Sequence, residues 1–157
     1  MKALSVKNPF AGLIVAGLKT YEVRSYKTSH RGKLAICSTQ KDLGTDVVNY
    51  SNDDEDGTIF RLAMWSVMEH HNLLPTDAMP NGCILGMVDL IGVKEFTGGQ
   101  EQENRAFVQL SAAQGMYPGK KLYLWELSNA FRIEPVPAKG KLGVFELNTK
   151  VIFSHAE

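Results

Sequence analysis

Gly17-Leu18-Lys19-Thr20-Tyr21-Glu22-Val23-Arg24 is the stretch on which the fold turns. Upstream of it, Phe10, Leu13, Ile14 and Leu18 repeat at helical spacing, and Gly17 suits a helix end because it enters left-handed backbone without steric cost. Downstream, Thr20 to Arg24 alternates polar and apolar residues, the period of a strand. That places Thr20, Glu22 and Arg24 on one face, and Tyr21 and Val23 on the other. A short helix thus runs directly into a strand. Asn8-Pro9 marks the helix start, Asn as a cap and Pro at a first helical position, where its missing N–H costs nothing.

Working outward, Ala3-Leu4-Ser5-Val6 reads as the first strand, Arg31-Gly32-Lys33 as a turn, and Lys33 to Ser38 as the next strand. Cys83 to Phe96 is a long strand-like run whose Gly86 and Gly92 suggest bulges or close backbone approach. Lys121 to Leu127 is strand-like, Pro135 and Pro137 mark a turn, and Val144 to Leu147 closes the pattern. Ile59 to His70 and Gln100 to Ala113 read as helices, and Ser51 to Gly57 as an acidic solvated loop. Several strands with only short helices between them predict an α+β chain built on a small barrel, not a doubly wound sheet.

Composition bounds the function. At 157 residues the chain suits one domain. Its hydrophobic fraction of 44% and charged fraction of 22% are ordinary for a globular protein. Lys plus Arg (17) balances Asp plus Glu (17). Zero net charge argues against tight binding of long duplex nucleic acid and leaves room for a small substrate or a local basic patch. Cys37 and Cys83 are the only cysteines, too far apart for a zinc or redox motif. His70-His71 point apart on a helix and form no metal pair. No signal-peptide pattern opens the chain, and its longest apolar run, Phe10 to Leu18, is too short to span a bilayer. A cytoplasmic protein with no metal, no cofactor and no membrane partner is expected. No dinucleotide, NTPase, zincin or nucleophile-elbow motif occurs.

Three polar clusters remain. In the first, Lys19, Glu22 and Arg24 would bring a carboxylate and two cations together if their strand face points into the barrel mouth; the alternative is a surface edge strand with exposed ion pairs. The second is Gln100 to Arg105, whose acidic residues also suit a helix N-terminus. The third joins Trp125, Arg132, Lys139 and Lys141. An aromatic beside a basic patch can stack a base, or Trp125 is core and the lysines are solvated.

Taken together, these clusters resemble the ASCH domain. Leu4-Ser5-Val6-Lys7-Asn8-Pro9-Phe10-Ala11, then Gly17-x-Lys19-Thr20-x-Glu22-x-Arg24, then Arg31-Gly32, is similar to the family's N-terminal signature. Trp125-Glu126-Leu127, Arg132, Pro135-x-Pro137 and Lys139-Gly140 are similar to its C-terminal part. The EOLA-like subgroup (endothelial-overexpressed lipopolysaccharide-associated factor) shares the chain length and both end motifs. The resemblance implies a PUA-like (ASCH) small β-barrel with short flanking helices. It implies a single domain over 1–157 with a variable helical and acidic insertion at about 42–79.

ASCH relatives include bacterial N4-acetylcytidine amidohydrolases, a ribonuclease and domains presumed to bind RNA. In the amidohydrolases a Lys, a Thr two positions before an Arg, and a distant Glu form the catalytic group. The resemblance puts that Lys at Lys19 and the Glu at Glu103, within Glu101-Gln102-Glu103-Asn104. Glu22 stands at the Thr position, a departure that leaves the water-activating group open between Glu22 and the hydroxyl of Thr20. The expected activity is metal-independent cleavage of N4-acylcytidine nucleosides, with Glu22 activating water, Lys19 stabilising the oxyanion or keeping Glu22 ionised, and Glu103 orienting Lys19 and helping to protonate the leaving amine. Asn8, Pro9, Thr20, Arg24, Arg31 and Trp125 are expected to bind substrate. A non-catalytic reader of RNA or modified nucleotides, and a ribonuclease, are the alternatives.

Overall fold

A computed structural model of the chain describes residues 1–8, 10–41, 80–97 and 119–148. The expected insertion at about 42–79, the two helices read over 59–70 and 100–113, Pro9 and Glu103 lie outside the described residues. The elements run β1 (Lys2–Val6), α1 (Phe10–Val15), β2 (Tyr21–Arg24), β3 (Gly32–Ser38), β4 (Cys83–Glu95), β5 (Tyr123–Pro137) and β6 (Val144–Glu146). The strands form one six-stranded sheet in the order β2-β5-β4-β3-β1-β6. It is curled into a half-barrel, with α1 as its short helix. Only β1 and β3 run parallel; the other neighbours are antiparallel.

The curl follows from the sequence of β4. Its pairing with β5 shifts register in three places, between Ile84 and Gly86, between Met87 and Asp89, and between Leu90 and Gly92, and two of these fall at the glycines where the sequence suggests bulges. A bulge adds local twist and bends the strand. A side chain at Gly86 would collide with the Phe131 carbonyl and with Val15 of α1, so glycine lets β5 and the helix close in together.

α1 is shorter than the apolar spacing suggests. All six residues from Phe10 to Val15 are buried. Gly17, at φ 75°, then ends the helix in left-handed backbone. The Leu18 N–H reaches the Leu13 carbonyl and the Gly17 N–H reaches the Ile14 carbonyl, both at 3.0 Å, the paired bonds of a Schellman cap. At the other end the Asn8 side-chain oxygen accepts the Gly12 N–H at 3.3 Å, satisfying a donor that has no partner inside the helix. So short a helix is stable only through packing. Leu4, Val6, Leu34, Ile36, Leu85, Val88, Leu90, Trp125 and Leu127 supply that packing on the sheet face that α1 covers.

Pro135 and Pro137 correct the expected turn, because both lie inside β5. β2 pairs only with Tyr123 to Glu126 of β5. Beyond that, among the described residues, one side of β5 has no strand beside it, and a residue without an N–H is tolerated at a sheet edge. On the opposite face of the sheet, Ala3, Ala35, Cys37, Ile84, Met87, Val136 and Phe145 form a second, smaller core. Cys37 and Cys83 are both free thiols. Among the described residues no helix is long and apolar enough to cross a membrane.

Candidate functional site

The helix cap positions the first cluster. After Gly17 the chain reverses, and the Lys19 N–H joins Leu18 on the Leu13 carbonyl at 3.1 Å. The Lys19 side chain is thereby folded back under the helix, its ammonium 5.6 Å from the centre of the Phe10 ring. Glu22 lies directly across from Trp125 in the β2–β5 ladder. Residues opposite one another in a ladder share a face, so Glu22 points to the side where Trp125 packs, toward the main core. It is only 2% exposed.

The carboxylate has a cation on each oxygen. Lys19 Nζ donates to Glu22 Oε2 at 2.9 Å, and Arg24 Nε donates to Oε1 at 2.8 Å. Lys19 Nζ also donates to the Tyr21 carbonyl. The Arg24 guanidinium continues to the Ser5 carbonyl at 2.7 Å. Arg24 thus ties β2, one edge of the sheet, to β1, which β6 covers only from Lys2 to Leu4. Lys19 and Arg24 are 10% and 17% exposed. Burial lowers the pKa of the Lys19 amine, Glu22 opposes that shift, and Arg24 adds to it. A buried amine whose proton is less firmly held is a better proton donor than an exposed lysine, and a base when deprotonated.

The remaining expected residues fall in different places. Thr20 is exposed, and its carbonyl accepts the Leu127 N–H at 2.8 Å. Asn8 is buried and spends its side chain on structure: besides capping α1 it donates to Asn81 Oδ1 at 3.0 Å and to the Pro80 carbonyl at 3.3 Å. Arg31 is exposed in the β2–β3 connection, where it donates to the carbonyls of Thr28 and His30. Trp125 corrects the expectation of a stacking surface: it is 0% exposed, and its indole N–H donates to the Tyr26 carbonyl at 3.1 Å. An indole closed inside the core has no face to offer a ligand.

Two residues were missed by sequence reasoning. Tyr26 is 38% exposed and stands perpendicular to Trp125, with ring centres 5.5 Å apart. The alternation Glu22, Arg24, Tyr26 was the available signal. Ser5 Oγ is buried and, among the described residues, has no hydrogen-bond partner. A side chain at Gly140 would collide with that hydroxyl. No sequence signal marks either feature of Ser5, since its neighbours are 19 and 135 positions away in the chain.

Comparison with known proteins extends these observations. The family model of the ASCH domain matches residues 4–137. Activating signal cointegrator 1 of Homo sapiens is 41% identical over 88 residues, which are 56% of this chain and 13% of that protein. The Mus musculus protein of that name is 38% identical over 99 residues, 63% of this chain and 15% of its own length. The chain therefore spans 13–15% of the length of the curated relatives it matches. The crystal structure of ASCH from Zymomonas mobilis superposes with a TM-score of 0.62 at 14% identity, covering 98% of this chain and 94% of that one. A tyrosine-to-phenylalanine mutant of the Zymomonas protein matches at a TM-score of 0.58 and 13% identity, over 99% of this chain and 95% of its own. At such identity the likeness to the solved structures is one of fold.

Proposed function

This chain belongs to the ASCH domain family, and on that premise we propose that it is a metal-independent amidohydrolase cleaving the N4-acyl amide of N4-acylcytidine nucleosides. N4-acetylcytidine is the reference substrate; cytidine and a carboxylic acid are the products. Within the family, the two end motifs favour the EOLA-like subgroup. The observation that carries the reading is the buried trio in which Glu22 holds Lys19 and Arg24 at 2.9 and 2.8 Å.

Amide hydrolysis without a metal requires a base to activate water, a positive charge beside the tetrahedral oxyanion, and an acid for the leaving nitrogen. Lys19 can serve all three in turn. In its deprotonated form, which burial favours, the amine takes a proton from water as the water attacks the acyl carbon. The resulting ammonium lies beside the oxyanion. It then returns the proton to N4 as the C–N bond breaks. Glu22 is nearly closed off from solvent and has both oxygens engaged, so in this assignment it positions Lys19, and the water-activating role passes from Glu22 to the amine. Glu103, named by the family resemblance, would assist proton transfer to the leaving nitrogen.

The test is incubation of pure protein with N4-acetylcytidine, followed by chromatography. Cytidine should form, also in the presence of a chelator, and Lys19→Met should lower turnover by about 10²–10⁴-fold. Absence of turnover above a blank, for several N4-acyl groups both as free nucleosides and in RNA, overturns the reading. A non-catalytic reader of modified nucleotides is the second reading; the exposure of Arg31, Arg132, Lys139 and Lys141 favours it. Such a reader would bind RNA with an affinity that falls steeply with salt and leave the acyl group intact.

A further inference from the structure

A ring of contacts runs from the trio and returns to it. Glu22 lies opposite Trp125 in the ladder. Trp125 supports Tyr26 through its N–H and its perpendicular ring contact. The Tyr26 hydroxyl lies 3.8 Å from where a side chain at Gly143 would start. Three residues earlier, Gly140 presses on Ser5. Ser5 in turn accepts the Arg24 guanidinium, and Arg24 returns to Glu22. Tyr26 is the exposed aromatic in this ring; Trp125 beneath it is sealed.

We propose that Tyr26 is the residue on which the pyrimidine ring of the ligand stacks at the mouth of the site, with Trp125 as its rigid support. The inference rests on the nucleoside reading above and assigns the base-binding surface which that reading lacks once Trp125 is in the core. Four features carry it. Tyr26 is 38% exposed, while its backbone carbonyl is pinned by the indole. Its orientation is set by an edge-to-face contact, a favoured aromatic geometry. It follows Glu22 and Arg24 at alternate positions of one segment. The loop from Lys139 to Leu142 beside it exposes two lysines and a fully exposed leucine, Leu142, suited to the sugar and phosphate side of a nucleotide. A pre-set aromatic face loses little freedom on binding, and every base presents a π-face to it.

The experiment measures binding of cytidine and N4-acetylcytidine to the intact chain and its Tyr26 variants by equilibrium dialysis, with methyl riboside as the probe lacking a base. The wild type should bind both nucleosides and not the riboside. Tyr26→Leu should weaken nucleoside binding by about 5- to 100-fold, the range expected for one base stacked on one aromatic side chain. Tyr26→Phe should stay within about 2-fold of the wild type, because it keeps the ring. Saturation transfer from tyrosine ring protons to pyrimidine H5 and H6 in the wild-type complex, absent in Tyr26→Phe when tyrosine resonances alone are irradiated, gives the same answer without a destabilised variant. Nucleoside binding that is unchanged in folded Tyr26→Leu, or no nucleoside binding by the wild type, overturns the proposal. Tyr26-dependent binding without hydrolysis sustains the stacking site and sinks the amidohydrolase. Hydrolysis with an unchanged KM in Tyr26→Leu does the reverse.

Discussion

Among the described residues a carboxylate, a lysine and a phenylalanine come together in two places, and the two differ chiefly in burial. On the face covered by α1, Glu22 pairs with Lys19, and Lys19 lies over Phe10. On the other face, Asp89 pairs with Lys33 at 3.6 Å, and Lys33 lies 5.8 Å from the centre of the Phe131 ring. Glu22 and Phe10 are 2% and 5% exposed; Asp89 and Phe131 are 23% and 46% exposed. Water screens the outer set, and its members are free to exchange partners. The inner set is held in a medium where an unpaired charge is costly, so each member fixes the next. The inner set is therefore suited to chemistry that needs a held amine, and the outer set is ordinary surface.

The largest test of that contrast is the pair Glu22→Gln and Asp89→Asn. Glu22→Gln leaves two cations facing each other without an anion and should cost about 3–5 kcal/mol of unfolding free energy. Asp89→Asn should leave the urea midpoint nearly unchanged. Equal losses at the two sites would abolish the contrast. The aromatic pair comes next. Phe10→Ala opens a cavity in the core and should cost about 3–5 kcal/mol, whereas Phe131→Ala, on the surface, should stay within about 0.5 kcal/mol; chemical denaturation of both variants checks this.

A subtler difference concerns protons. Burial lowers the Lys19 pKa in the folded state below the 10.5 of an ordinary lysine. The unfolded chain therefore binds more protons than the folded one between the lowered folded value and 10.5, and stability rises with pH across that window. The melting temperature of the wild type relative to Lys19→Met should climb as pH rises through it, and a flat difference would show that Lys19 titrates as an ordinary lysine. The smallest effect is on the acid side. The Asn129 hydrogen bond and the nearby Lys33 hold the Asp89 carboxyl below its usual range. Its contribution to stability is present above the unfolded carboxylate pKa and fades as pH falls through the folded value. Asp89→Asn should slightly flatten the acid limb of the melting profile, and Lys33→Met should do so less, since Asn129 contributes more.

Much of the architecture was legible because its causes are local. Gly17 ends α1 by its own backbone freedom, Asn8 caps the other end four residues from Gly12, and Gly86 and Gly92 fall at two of the three register shifts between β4 and β5. The alternation of Thr20 to Arg24 placed Glu22 and Arg24 on one face, and Arg24 does meet Glu22 at 2.8 Å. The prolines of β5 misled, because a proline signals a turn only where its neighbours would need its N–H, and that depends on which strand lies beside it.

By itself, then, the sequence determined α1 and its two ends, the strands from β1 to β4, the alternating face of β2 and the grouping of Lys19, Glu22 and Arg24, since these rest on interactions within a few residues. The tertiary structure alone decided which face is buried, that Asn8 is spent on Asn81 and Pro80, and that Arg24 closes onto Ser5. It also decided that Tyr26 is exposed while Trp125 is sealed in the core. These outcomes depend on contacts between residues 19 to 99 positions apart. Burial is the summed exclusion of water by many such partners, and no local pattern encodes the sum.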